Sequence, residues 1–297
     1  MHQQPIKAFE LGDIRIDRIE DVVGIKVPFD QLLVGLPDDA IDHNIDWLVP
    51  YHYDPLSQSA LTAVQSWVVR TPRHVILIDT CFGSGKSGIE MSQMHAGAPW
   101  LGRLAATGLA VEDIDFVMCT HLHADHVGWN TKLVDGRWVP TFPRARYLFG
   151  RKEYDFWASN AHDWAEKLGH QHVFNESVLP CVQHGLAEFV DAGFSIDDRL
   201  FIEDAPGHTP GNTLIRAVAS DRHGIFSGDI AHSALQLAYP DVNSVACWDP
   251  DQARETRWRV LSDCADNGHL LMPAHFGVPH YGRVSRKGDS FAFLPGL

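Results

Sequence analysis

Polar and apolar residues alternate along 13–20, Asp-Ile-Arg-Ile-Asp-Arg-Ile-Glu, over most of the stretch. A period of two predicts a half-buried strand. Two apolar runs, 63–69 and 75–78, are joined by Thr71-Pro72-Arg73 and read as strands around a turn. Further short runs predict strands at 115–120, 145–149, 200–203, 213–219, 225–227 and 269–272, with a terminal hairpin over 281–294. Residues 99–109 read as a helix, and another starts near 152. Asp249-Pro250-Asp251-Gln252 is a third helix start. Asp249 can cap it, Pro250 suits its first turn, and Gln252 can complete a capping box. Trp258, Leu261 and Cys264 then share one core-directed face, and Asn267-Gly268 ends the helix. Residues 28–61 are irregular, a lid or pocket wall on one reading, packing over the sheet or a subunit contact on the other. Residues 158–190 show no clear period. Their His162, His170, His172 and His184 match no ligand motif and read as surface or core residues.

One pattern recurs: an apolar strand followed at once by a loop carrying His or Asp. It occurs near 79, 120, 205, 228 and 273. The densest case is Thr120-His121-Leu122-His123-Ala124-Asp125-His126. Side chains alternate along a strand, so His121 and His123 point the same way if the strand persists. Neutral imidazole and carboxylate are ligand types that suit zinc and similar divalent metals. Later loops add His208 in Pro206-Gly207-His208-Thr209-Pro210-Gly211, Asp229 after Gly228, and His275 after Pro273-Ala274. In layered α/β folds ligands gather at one end of the strands. If these ends converge, they supply His121, His123, Asp125, His126, His208, Asp229 and His275. That set is too large for one zinc and fits two, with Asp229 bridging. Asp79, at another strand end, either orients a metal-binding His or caps its loop. Gly83–Ser87 is not a phosphate loop, because Thr80 stands where the first glycine is required.

Composition narrows the class. The chain has 297 residues, 45% hydrophobic and 21% charged, enough for a sizeable core. No linker, repeat or low-complexity block interrupts it, so a single domain over 1–297 is expected. A formal charge of −14 and no basic run argue against nucleic acid as the main partner. The first seven residues hold no signal-peptide core, and no apolar run spans a membrane, so a cytoplasmic protein is the default. Cys81, Cys119, Cys181, Cys247 and Cys264 are scattered and read as reduced, buried thiols.

The order H-x-H-x-D-H, G-H-T-P-G, S-G-D, P-A-H resembles the metallo-β-lactamase superfamily, over about 79 to 275. The resemblance implies an α/β fold, an αββα four-layer sandwich. It implies that His121, His123 and His208 hold one metal, that Asp125, His126 and His275 hold the other, and that Asp229 bridges two Zn2+ opposite a hydroxide. Cations ~3.5–4 Å apart lower the pKa of a shared water toward ~7. A metal also steadies the charge that develops on the attacked oxygen. Hydrolysis of an ester-like bond is therefore expected.

Within the superfamily the chain resembles the branch of lactonases and methyl-parathion-hydrolase-like enzymes. No Cys occupies an obvious ligand slot, which disfavours antibiotic hydrolysis. His123 stands where the diiron flavoproteins carry Glu. Two departures matter: Asn212 replaces the second His of H-T-P-G-H, and His232 replaces a Tyr three residues after the bridging Asp. His232 either donates a proton or hydrogen-bonds the substrate, or it walls the pocket. Asp125 and His232 are the expected catalytic side chains. Trp129 and Phe276 either wall an apolar pocket or belong to the core. The expected substrate is a small, partly apolar lactone or ester, with no nucleic-acid or membrane partner and a homodimer allowed by base rate. The alternatives are a phosphotriesterase and, more remotely, a mononuclear iron enzyme like the persulfide dioxygenases.

Overall fold

In the computed structural model the described residues are 8–94, 99–159, 162–220 and 222–296. The expected signal-free start, Asp221 of the expected turn and the side chain of His162 lie outside them. The chain folds as two compact units, one of residues 1–21, 64–199 and 219–221, the other of 22–63, 200–218 and 222–297.

One sheet runs in the order Ala8–Leu11, Ile14–Pro28, Ser59–Arg70, Val75–Ile78, Phe116–Cys119, Arg146–Gly150 and Ala187–Val190. Its last four strands are mutually parallel. They are short and nearly all apolar, as strands covered on both faces must be. Phe116–Cys119 shows this, with three of its four residues buried. Parallel neighbours release their chains at one sheet edge, which is where the first cluster of ligand-type residues collects. Trp129 is buried and stacks on Trp100 at 5.9 Å, so it is core.

The sheet of the second unit runs Leu200–Asp204, Thr213–Val218, His223–Gly228, Leu270–Pro273, Gly282–Lys287 and Ser290–Pro295. Only His223–Gly228 and Leu270–Pro273 are parallel. The helix Pro250–Asn267 starts and stops as its sequence demands. Asp249 accepts hydrogen bonds from the amides of Asp251 and Gln252, and Gly268 takes the left-handed φ of 69° that closes the last turn. Val260, Leu261 and Cys264 of this helix are buried among Leu214, Ile225 and Leu271, with Trp258 half-buried beside them. Phe276 is buried in the same core, edge-on to Phe293.

The irregular stretch 28–61 holds only short pieces, including the one-turn helices Phe29–Leu32 and Ile45–Leu48. In 158–190, where no period was legible, the chain forms the helices His162–Lys167 and Leu179–Gln183, a turn of wider helix at Phe174–Val178, and the strand Ala187–Val190. All five cysteines are free and buried. No helix among the described residues is long and apolar enough to cross a membrane.

Candidate metal centre

The first cluster belongs to the first unit. Ile78 lies opposite Met118 across the parallel pair, so Asp79 and Thr120 leave the sheet side by side. The strand ends at Cys119, and alternation along a strand is not what gathers the histidines. A tight loop and the one-turn helix Ala124–Val127, with His123 just before it, do so instead. The rings of His121 and His123 are 4.6 Å apart, and those of His121 and His126 are 4.0 Å apart. Asp125 Oδ2 lies 3.7 Å from His126 Nε2. All three imidazoles are buried.

Asp79 holds this loop. Its φ of 56° is left-handed, a conformation Asp tolerates, and it turns the carboxylate back over the sheet edge. There the carboxylate accepts from Thr120 N and Thr120 Oγ1 at 2.8 and 2.9 Å, and it lies 2.8 Å from His126 Nδ1. A carboxylate only accepts, so His126 Nδ1 carries the proton and Nε2 keeps its lone pair. Thr120 Oγ1 lies 3.1 Å from His121 Nδ1. Imidazoles backed in this way are the usual form of metal-ligating histidine. The expected orienting role of Asp79 is thus matched by its contacts.

Glu153 was not anticipated. It is buried, and its Oε1 accepts from Leu122 N at 3.0 Å and from Trp157 Nε1 at 2.7 Å. One carboxylate therefore ties the histidine loop to the helix Arg151–Ser159. A signal existed: Glu153 is an acid just past a strand end, like Asp79 and Asp229. His170, read from the sequence as a surface or core residue, is half-buried. Its ring lies edge-on to His123 at 5.3 Å. Burial lowers its pKa, and the Asp125 carboxylate opposes that shift. Gly128 has no room for a side chain, since a Cβ there would sit 1.9 Å from the Phe82 carbonyl carbon.

The second cluster belongs to the second unit. Gly228 pairs with Pro273 across the parallel strands, so Asp229 and His275 follow at neighbouring strand ends. The loop of His208 closes the antiparallel hairpin in which Asp204 faces Thr213. Asn212 fastens that loop by donating from Nδ2 to Ala205 O at 2.8 Å, a structural job consistent with its not being a ligand. Gly207, at φ 127°, lets the loop rest on the start of the long helix, where a Cβ would lie 2.2 Å from Ala253 N.

Three imidazoles face one carboxylate. His208 Nε2 is 3.3 Å and His232 Nε2 is 3.2 Å from Asp229 Oδ2, and His275 Nε2 is 3.0 Å from Asp229 Oδ1. The ligand atoms of Asp229, His232 and His275 all lie within 4.8 Å of one another. Two donors each 2.0–2.1 Å from a zinc ion stand roughly 3.3 Å apart at a tetrahedral angle. The observed spacings match, and the donor set fits a divalent cation. His275 Nδ1 lies 2.9 Å from Ala63 O, the outer partner a ligating histidine needs. His208 Nδ1 has the Cys247 thiol at 3.9 Å. Among the described residues, the buried Nδ1 of His232 has no such partner.

The loop carrying His232 is held from below. Gln236 Oε1 accepts from His232 N at 2.6 Å, and Gln236 Nε2 donates to Val242 O at 3.1 Å. Arg257, a buried cation, donates to Ile230 O at 2.7 Å, Pro240 O at 2.8 Å and Asn243 Oδ1 at 3.2 Å. Burial pushes its pKa down to about 10.

Both clusters fall inside one sequence match, in which the metallo-β-lactamase superfamily model covers residues 60–275. The chain belongs to the metallo-β-lactamase superfamily. As a member with this His/Asp set it is a metal-dependent hydrolase. Solved structures share its fold. Hydrolase AbOPH is 22% identical, with 100% of this chain and 99% of that one covered at a TM-score of 0.85. AidC, a dizinc quorum-quenching lactonase in complex with a product, is 20% identical, with 98% and 97% covered at 0.78. A probable metal-dependent hydrolase from Staphylococcus aureus is 18% identical, with 97% and 100% covered at 0.71. The expected α/β fold is thereby shown. No curated protein matches the chain.

Proposed function

We propose that the chain is a dinuclear zinc hydrolase that opens a lactone or cleaves a carboxylic ester of a small, partly apolar molecule. His121, His123 and His208 would hold one metal, Asp125, His126 and His275 the other, and Asp229 would bridge. Asp125 would thus act at the reaction centre as a ligand. The observation that carries this reading is the division of labour within the imidazoles. His126 and His275 have Nδ1 against Asp79 and Ala63 O, while Nε2 of His208 and His275 converge on Asp229 at 3.0–3.3 Å. When bound, such a metal pair supplies a hydroxide nucleophile at neutral pH and polarises the substrate carbonyl.

The protein supplies orientation and proton handling. Asp79 and Thr120 keep His126 and His121 in the Nε2-ligating form. His232 differs from the ligands: without an outer partner for Nδ1 among the described residues, it suits a donor to Asp229 through Nε2–H, with Nδ1 left for a proton or a substrate hydrogen bond. The lactonase among the similar structures supports an ester-type bond.

The test is elemental analysis of the purified protein with kcat/KM measured over lactones, aryl esters and phosphotriesters. About two zinc per chain and turnover of the first two classes are expected. A metal-loaded protein that cleaves none of the three sinks the catalytic reading, and a preference for phosphotriesters changes the bond assigned.

A further inference from the structure

Between Lys26 and Arg70 the chain has no lysine or arginine, yet it carries Asp30, Asp38, Asp39, Asp42, Asp46 and Asp54. Within this stretch Phe29, Leu33, Val34, Leu36 and Ile41 line a groove of about 420 Å³, and Asp30 and Asp38 stand along it. Phe29 and Leu33 are anchored in the core beneath, while Val34 is 59% exposed. Asp30, Asp38, Asp42 and Asp46 are exposed and have no ion-pair partner among the described residues. A surface of the opposite character belongs to the first unit. The strands Thr131–Val134 and Arg137–Pro140 form a hairpin, closed by Asp135 and Gly136, whose φ of 49° and 76° suit a tight two-residue turn. Neighbouring residues of a strand face opposite ways, yet Leu133 is 55% and Val134 42% exposed. Both faces of the tip are therefore in solvent, and the tip projects. Lys132, Arg137 and the nearby Arg144 have no ion-pair partner among the described residues, and Asp135 is the one acid in the hairpin sequence.

We infer that the hairpin tip of one copy of this chain seats in the aspartate-rimmed groove of a second copy. A chain of formal charge −14 repels its own copies, so a contact between copies needs a place where the sign is locally reversed. The hairpin is such a place, and the groove offers apolar surface under a rim of the opposite sign. A cavity of roughly 150 Å³ takes one benzene ring, so the groove has room for the side chains of both Leu133 and Val134. Burial of these two supplies the affinity. Exposed ion pairs are weak singly, so Lys132, Arg137 and Arg144 against the aspartates choose the partner face more than they hold it. The tight turn sets the tip before contact, and little order is lost on seating. Made reciprocally, the contact closes a dimer through two such seats.

The test is sedimentation velocity of the full-length, metal-loaded protein over a concentration series. The wild type passes from monomer to dimer as concentration rises. Leu133→Asp raises the dimer Kd about tenfold or more, as loss of a buried apolar anchor does. Asp30→Lys with Asp38→Lys, and Lys132→Glu with Arg137→Glu, each weaken it to a similar degree. The variant carrying all four changes dimerises again, a rescue that damage to the fold cannot imitate. The five native cysteines are buried. Mixing Val34→Cys with Leu133→Cys protein under mild oxidation therefore cross-links the two variants to each other, and neither to itself. A wild type that stays monomeric leaves the groove to another occupant and overturns the inference. Dimerisation indifferent to Leu133→Asp, a four-change variant no better than either pair, or Val34→Cys protein that cross-links to itself alone overturns it equally.

Discussion

Replacing Asp79 by Asn tests the metal centre through a residue that is not itself a ligand. The carboxylate is buried, engages Thr120 twice, and lies 2.8 Å from His126 Nδ1. Asn suits the left-handed backbone at φ 56° as well as Asp does, so the turn itself survives. One oxygen remains for Thr120. The other becomes an amide that donates, and it meets a ring nitrogen that also donates. His126 must then shed its partner or move its proton to Nε2, the atom meant for the metal. A charge-assisted hydrogen bond is worth about 1.5–3 kcal/mol, and loss of an outer partner typically weakens metal binding about 10–100-fold. These agree, since tenfold is about 1.4 kcal/mol. Competition against a fluorescent chelator at pH 7 reads the zinc Kd directly. The expected result is a Kd raised at least tenfold for one of two metal equivalents, with circular dichroism unchanged. A Kd within twofold of the wild type for both equivalents would refute the orienting role of Asp79.

Other outcomes follow from the same contacts. Arg257→Met leaves buried carbonyls of Ile230 and Pro240 without donors, and unfolding in denaturant should show a loss of about 2–4 kcal/mol that Arg257→Lys does not fully restore. Lys86 is buried over the Trp138 ring, and burial pushes its pKa down to about 7 from an ordinary 10.5. The native state sheds this proton first, so its contribution grows as pH rises from about 7 toward 10.5 and is lost as pH falls through 7. In Lys86→Met that rise should vanish from a stability-against-pH profile, and an unchanged slope would contradict the assignment. Gly128→Ala should fail to yield folded protein by circular dichroism, because its Cβ would meet backbone at 1.9 Å. Chelating the metal should lower Tm, by mass action on the native state alone, and zinc should restore it.

Much of the centre was readable in the chain because ligand chemistry is local. The H-x-H-x-D-H run, the Pro-Gly punctuation around His208 and the carboxylates after strands at Asp79 and Asp229 each name residue types and the loop that presents them. The helix from Pro250 to Asn267 was equally plain, since its cap, first-turn proline and terminal glycine lie within the segment they control. Tertiary structure decided the rest. Strand Phe116–Cys119 stops at Cys119, so a loop and a single helical turn, not alternation, gather His121, His123 and His126. Trp129 and Phe276 could serve core or pocket equally, and only their neighbours Trp100 and Phe293 assign them to the core. Glu153 and Arg257 act through Leu122 and Ile230, 31 and 27 residues away, and no local pattern encodes such partners. A residue's chemistry is carried in its own atoms, whereas its role is set by which distant groups share its hydrogen bonds, and that follows only once the strands have paired.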